Sequence, residues 1–279
     1  MSDGPKIRTM SRDDVDIAIR LAAKEGWNPG LSDAECFYAA DPEGFFIAEK
    51  NGEPVGTISA VRYDDRFGFV GLYIIAPGSR GKGYGTALWN HAMQHLEGCN
   101  IGLDAVTEQE KTYMKSGFGT AYRSARFEGT GGGKCPEGVV RLEEVDFAKV
   151  AEYDRQCFPS SREQFMRTWL TADGVTGYGV MDGDRLTGFG VIRPCAMGSK
   201  IGPLFADTPE IAETLFQALT ALVPGRKFYL DVMESNAAAG ELARRHGLKK
   251  VFVTVRMYTD GEPVMDTEKV YGVTSFELG

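Results

Sequence analysis

The chain has 279 residues, 43% of them apolar and 25% charged, which excludes a wholly disordered, collagenous or coiled-coil protein and leaves room for about two domains. Its 39 acidic and 31 basic residues give a net charge of −8, and no cluster of Lys and Arg offers the footprint that phosphate-backbone binding requires, so nucleic acid is not an expected partner. No run approaches the roughly 18 apolar residues of a spanning helix, the start has no apolar leader core, and the five cysteines form no C-x-x-C pair; the expectation is a cytoplasmic protein with reduced thiols and no membrane partner. Of the three histidines, His91 and His95 lie four residues apart on a predicted helix, but no H-E-x-x-H pattern or third ligand accompanies them, so no metal is expected.

In chain order, a short strand over residues 6–10 precedes Ser11, which caps an amphipathic helix over 12–25 with Val15, Ile17 and Leu21 on its apolar face. The turn Gly26-Trp27-Asn28-Pro29-Gly30 breaks it, and a second short helix runs to residue 40. Three strands follow: 45–49, then 54–63 after the hairpin turn Asn51-Gly52, and 68–76, whose nearly unbroken apolar run reads as buried on both faces. A helix over 84–96, a strand over 101–106, a short helix over 108–116 closed by Gly117, and a strand over 121–127 complete the order β-α-α-β-β-β-α-β-α-β. Residues 129–138, with Gly129, Gly131, Gly132, Gly133 and Pro136, form the one low-complexity stretch and read as a linker. Beyond it the order recurs: strand 139–142, helices 146–157 and 161–170, strands 178–181, 186–192 and 200–204, helix 208–222, strand 227–233, helix 237–246 and strand 251–258. The fold expectation is therefore α/β: a mixed, mostly antiparallel sheet flanked by helices, used twice, in domains 1–128 and 139–279.

The sharpest local signal is Ile74-Ile75-Ala76-Pro77-Gly78-Ser79-Arg80-Gly81-Lys82-Gly83-Tyr84-Gly85-Thr86. A buried strand ends, glycines admit a ligand close to the backbone, and a helix begins with its free N–H groups facing the loop, which is the construction of an anion cradle. The P-loop pattern is not met, because Gly83 rather than Ser or Thr follows Lys82. The dinucleotide pattern needs glycine where Thr86 stands, although Asp104 lies about where a ribose-binding acid would; that reading and a plain glycine turn stay open on spacing alone.

The pattern R-x-x-G-x-G at Arg80, Gly83 and Gly85 resembles the acetyl-CoA pyrophosphate loop of the GNAT N-acetyltransferases, and Tyr113-Met114-Lys115-Ser116-Gly117-Phe118 resembles the family's Y-x-x-x-G-F. The resemblance covers about residues 5–128. It implies acetyl-CoA as cosubstrate without a metal, held by Ile74, Ile75 and the loop from Arg80 to Thr86. It further implies direct attack by an amine acceptor, polarisation of the thioester carbonyl by the Ile75 N–H, and protonation of the departing thiolate by Tyr113. Val106 stands where the family often has Asn, and Gly71, Leu72 and Tyr73 stand where it often has a carboxylate, so the general base is not identified. In the second half, Asn236, Ala239 and Leu242 to Leu248 match the spacing of the same motif with Ala243 at the Tyr position, and Pro203 and Asp207 stand in the stretch that replaces the glycine loop. The resemblance thus implies a degenerate second domain that does not bind CoA. Candidates for the acceptor site are Trp27, Asn28, Tyr38, Tyr63 and Tyr73 as lining and Asp104 and Glu108 as carboxylates near the amine; core or rim positions for the aromatics and solvated or capping positions for the carboxylates are the more ordinary account of these residue types. A non-catalytic acyl-CoA sensor, monomeric or homodimeric like the enzyme, shares the loop and is distinguished by turnover.

Overall fold

A computed structural model of the protein describes residues 4–279. The first half runs β1 (Lys6–Thr9), α1 (Arg12–Lys24), α2 (Asp33–Ala40), β2 (Phe45–Lys50), β3 (Glu53–Arg62), β4 (Phe67–Ile75), α3 (Tyr84–His95), β5 (Asn100–Val106), α4 (Glu110–Lys115) and β6 (Gly119–Thr130). The second runs β7 (Val139–Arg141), α5 (Phe147–Cys157), α6 (Glu163–Thr171), β8 (Thr176–Asp182), β9 (Arg185–Pro194), β10 (Ser199–Ala206), α7 (Pro209–Thr220), β11 (Lys227–Met233), α8 (Ala237–Arg245), β12 (Lys249–Tyr258) and β13 (Val270–Gly272). Local chemistry sets the helix starts. Ser11 accepts from the Asp14 N–H while the Asp14 carboxylate accepts from the Ser11 N–H, a reciprocal cap for α1. Among the described residues, no helix is long and apolar enough to cross a membrane.

The repeated order is present, but the two halves share one sheet. Its strand order is β1-β2-β3-β4-β5-β12-β6-β11-β10-β9-β8-β7, with β13 beside β10. Each half gives its last long strand to the other: β12 lies between β5 and β6, and β6 lies between β12 and β11. The predicted linker therefore begins inside a strand, because Gly129 and Thr130 pair with Phe228 and Lys227. The exchange is locked by two buried ion pairs in corresponding places. Arg256 of β12 stands directly opposite Asp104 of β5, with 2.6 Å between guanidinium and carboxylate, and Arg126 of β6 stands opposite Asp231 of β11 in a two-pronged contact at 2.7 Å. Burial opposes the charge on Arg256, but the nearby Asp104 overrides it and holds the guanidinium pKa well above its ordinary value.

Apolar packing also ignores the boundary between halves. Helices α1, α2, α5 and α6 cover one face of the sheet and share a single core, in which Phe37 of α2 stacks on Trp169 of α6 with centroids 6.3 Å apart. On the other face α3 and α4 cover the first half and α7 and α8 the second, around separate clusters. The last ten residues, for which the sequence predicted no element, are all buried. β13 pairs with β10, and the Val273 N–H donates to the Asp231 carbonyl at 2.9 Å. The chain end then passes beneath β4.

Candidate active site

The site grows from a break in strand pairing. β4 pairs in parallel with β5 only from Phe67–Asn100 to Val70–Leu103. Leu72 then adopts a left-handed backbone with φ of 45°, and Leu72 and Tyr73 together oppose Ile58 of β3, a bulge that turns β4 away from β5. The Thr57 hydroxyl donates to the Leu72 carbonyl at 3.0 Å and supports the bulge. The resulting gap is open from Gly71 to the end of β4.

Register fixes which backbone groups face that gap. The Ala76 N–H donates to the Val55 carbonyl at 3.0 Å, so Ala76 and Val55 form a hydrogen-bonded pair. Such pairs alternate along an antiparallel ladder, and Ile75 opposite Gly56 is therefore a non-bonded pair whose N–H and C=O point away from β3 into the gap. Arg80 Nε donates to the Ile75 carbonyl at 2.9 Å, which leaves the Ile75 N–H as the free group facing the gap.

The glycine loop follows. Gly81 and Gly83 have φ of 75° and 81°, and a Cβ on either would stand in open space, so the loop presents bare backbone on its outer side. Gly83 caps α3 without a side-chain hydrogen bond, so the first-turn N–H groups of α3 are unclaimed by any cap and point at the cradle. The two cations of the motif brace the loop. Lys82 Nζ donates to the Gly78 carbonyl at 2.8 Å, and Arg80 reaches back to Glu25 as well as to Ile75. Tyr84 is half-buried against the core under α3, and Thr86, two residues on, is exposed. Gly85 faces inward, where a Cβ would meet the Tyr73 hydroxyl at 2.7 Å.

Below the loop the gap widens into a cavity of about 100 Å³. Tyr113 enters it from α4, clasped by Trp89 and Phe118 at centroid distances of 5.4 and 6.2 Å. Its hydroxyl makes no hydrogen bond among the described residues, and burial, helped by Tyr73, raises its pKa above the usual phenol range. Tyr113 is thus a protonated donor at neutral pH.

The corresponding place in the second half is closed. Only Asp207 and Thr208 separate β10 from α7, where eight residues separate β4 from α3. The Thr208 hydroxyl takes the Ile211 N–H, Pro209 has no N–H to offer, and Asp207 adds negative charge. β13 fills the gap beside β10: a Cβ on Gly202 would strike the Val273 and Thr274 carbonyls at 2.6 and 2.8 Å.

Residues 13–118 match the acetyltransferase (GNAT) family and residues 150–272 an acetyltransferase (GNAT) domain. A holothin acyltransferase from a Pseudoalteromonas strain is 32% identical over 272 residues, 96% of this chain and 92% of its own. The chain belongs to the GNAT acetyltransferase family. This GNAT chain is similar along its full length to a putative acetyltransferase from Pyrococcus horikoshii, with 25% identity, a TM-score of 0.86 and 100% and 97% of the two chains covered. A tandem GNAT protein from the clavulanic acid biosynthesis pathway shares the fold at 14% identity, with a TM-score of 0.64 over 91% of this chain and 98% of the other.

Of the acceptor candidates, Trp27, Tyr73 and Asp104 line the cavity beside Tyr113. Asp104 does so with its carboxylate already bound to Arg256, so it locks the exchanged strand and is not a free base. The other four lie elsewhere. The Asn28 side chain is tied to the β9–β10 turn, accepting from the Met197 N–H at 2.7 Å. The Tyr63 hydroxyl donates to the Leu278 carbonyl at 2.8 Å, Tyr38 packs on the shared core, and Glu108 is exposed in the turn before α4. Among the described residues no group of three or more His, Cys, Asp and Glu could hold a metal. Sequence reasoning missed the far wall of the cavity: Arg126 and Phe252 from the exchanged strands, and Phe276 and Glu277 from the chain end.

Proposed function

We propose that the protein transfers an acetyl group from acetyl-CoA to an amine, with acetyl-CoA held in the first half and the amine in the cavity that both halves line. The observation that carries this reading is that, where β4 parts from β5, the free Ile75 N–H and the glycine loop follow directly on the β4 residues Gly71 to Tyr73 that line the cavity with Tyr113. In this reading the loop from Arg80 to Thr86 and the N-terminus of α3 hold the pyrophosphate. The Ile75 N–H donates to the thioester oxygen as it gains charge. The neutral amine nitrogen forms a bond to the carbonyl carbon, the carbon–sulfur bond breaks, Tyr113 gives its proton to sulfur, and the proton lost from nitrogen passes to solvent, from which Tyr113 is reprotonated.

Similarity to a holothin acyltransferase along nearly the whole chain supports acyl transfer and makes holothin one acceptor to try. The cavity, at about 100 Å³, is smaller than an apolar cavity of ~150 Å³ that takes up benzene, and so suits the amine end of a small molecule better than a folded protein segment. The test is release of free CoA thiol from acetyl-CoA across holothin, small aromatic and aliphatic amines, amino acids, amino sugars and peptides, with the acetylated product identified by mass. Thiol release that depends on one class of small amine supports the reading. Binding of acetyl-CoA with no amine-dependent release across the panel overturns it.

A further inference from the structure

We infer that Glu277, carried into the acceptor cavity by the chain end, is the group that takes the acceptor amine and removes its proton. The inference rests on acyl transfer in this cavity and supplies the base that the β4 sequence lacks. Three observations lead to it. Gly71 stands on β4 where a carboxylate is missing, and a Cβ there would lie 1.9 Å from the Glu277 carbonyl oxygen, so the bare glycine is what lets the chain end lie against the strand. The end is fixed on both sides of Glu277: Tyr63 donates to the Leu278 carbonyl at 2.8 Å, Arg162 to the Gly279 carbonyl at 3.2 Å, and Ser275 Oγ accepts from the Leu278 N–H at 3.0 Å. The Glu277 side chain lines the cavity at 4% exposure, and its Oε2 is buried with no hydrogen-bond partner.

A carboxylate buried without a donor is rare in a native protein and calls for an explanation. Three cations lie near enough to act on its charge, each from a different strand: Arg126 of β6, Arg193 of β9 and Lys200 of β10. None donates to it. Arg126 is held by Asp231 and the Trp27 carbonyl, Arg193 by Asp33, and Lys200 lies 3.4 Å from the Trp27 carbonyl. The acidic groups in the same region, Asp231, Asp33 and Asp104, are each paired with an arginine. With these cations engaged elsewhere, the Glu277 oxygens stay free for a ligand donor.

The N–H of a neutral amine is the donor that fits. In the step, the acceptor nitrogen gives a proton to Glu277 and bonds to the thioester carbon, the carbon–sulfur bond breaks, and Tyr113 protonates sulfur; solvent then returns Tyr113 and Glu277 to their starting states. The lining also selects the acceptor. Trp27, Tyr73, Phe252 and Phe276 line the same cavity as Glu277, and the one lining cation, Arg126, is already bound to Asp231. A carboxylate on the acceptor would meet Glu277 and no free cation, so the class is a small aromatic or apolar primary amine, not an amino acid.

Phenethylamine is the probe. Its affinity for the CoA-bound full-length protein and its acetylation are measured for wild type, Glu277→Gln and Glu277→Asp across pH, together with acetyl-CoA affinity and Tm. The expected result is a loss of about 10²-fold to 10⁴-fold in kcat/KM for Glu277→Gln, partial rescue in Glu277→Asp, and unchanged acetyl-CoA affinity and Tm. Acetylation by Glu277→Gln at the wild-type rate, or loss of acetyl-CoA affinity and Tm together with activity in both variants, overturns the role of Glu277. Wild-type protein that binds acetyl-CoA yet neither binds nor acetylates any small amine overturns the transferase reading instead.

Discussion

Replacing Gly71 by Ala tests the docking of the chain end without touching any charged group. Gly71 has no positive φ, so alanine brings no backbone strain, and its only effect is the added methyl group. That methyl would lie 1.9 Å from the Glu277 carbonyl oxygen and close to its carbonyl carbon at 2.9 Å, where ordinary contact begins near 3.4 Å. The chain end must therefore retreat by about 1.5 Å, against the hydrogen bonds that fix Leu278 and Gly279. Forcing a methyl into a packed interior costs about 1–3 kcal/mol, and a displacement of ~1 Å at a reacting group lowers rate by about 10²-fold. Urea unfolding and steady-state kinetics on one preparation read both effects. The cradle lies at the other end of β4, so acetyl-CoA affinity is expected to stay unchanged. A Gly71→Ala protein with wild-type stability and wild-type kcat/KM would refute the placement of the chain end against β4.

Gly83→Asp puts a side chain and a negative charge into the cradle at a backbone φ of 81°; calorimetry is expected to count one acetyl-CoA per wild-type chain and a loss of at least tenfold in affinity, about 1.4 kcal/mol, in the variant. Arg256→Met strands the buried Asp104 carboxylate and is expected to destabilise by about 3–5 kcal/mol, whereas Asp104→Leu combined with Arg256→Met recovers most of that loss; equal effects of the single and double variants in urea unfolding would show that the pair does not lock β12. Burial alone would raise Asp33 and Asp231, but Arg193 and Arg126 hold both below the ordinary carboxylate range, and Arg8 does the same for Asp14. Their unfolded values lie near 3.9, so the stability they contribute is complete above about pH 4 to 5 and is lost as pH falls through the lower folded values; a urea midpoint that does not drop between pH 5 and pH 2 would contradict these pairings.

The elements of both halves were legible because each follows its own period. The 3.6-residue spacing of Val15 and Ala18 puts both in the shared core, and the unbroken apolar run of β4 marks a strand covered on both faces. The cradle was legible because its chemistry is local: the glycines that need positive φ and the helix that starts after them are adjacent in the chain. The strand exchange was not, since β6 and β12 carry similar alternating patterns and their neighbours are set by contacts more than 100 residues away. A signal did exist in the charges at Asp104, Arg126, Asp231 and Arg256, each on a strand otherwise suited to burial, which demand partners of opposite sign. The chain end was illegible for a different reason. Residues 273–279 have no period, and they are ordered by what they rest on, namely Gly71, Tyr63 and Arg162, so Glu277 could not be placed in a site from its own neighbourhood.

Amine-dependent release of CoA thiol by Tyr113→Phe, set beside wild type under saturating acetyl-CoA, tests most directly whether the gap between β4 and β5 is a transferase site. Phenylalanine keeps the packing against Trp89 and Phe118 and removes only the proton that sulfur would receive. The expected result is a fall in kcat of about 10²-fold to 10⁴-fold with acetyl-CoA affinity and Tm unchanged. A fall of only about two- or threefold, or one that tracks unfolding, would mean that Tyr113 is packing and that the chemistry lies elsewhere.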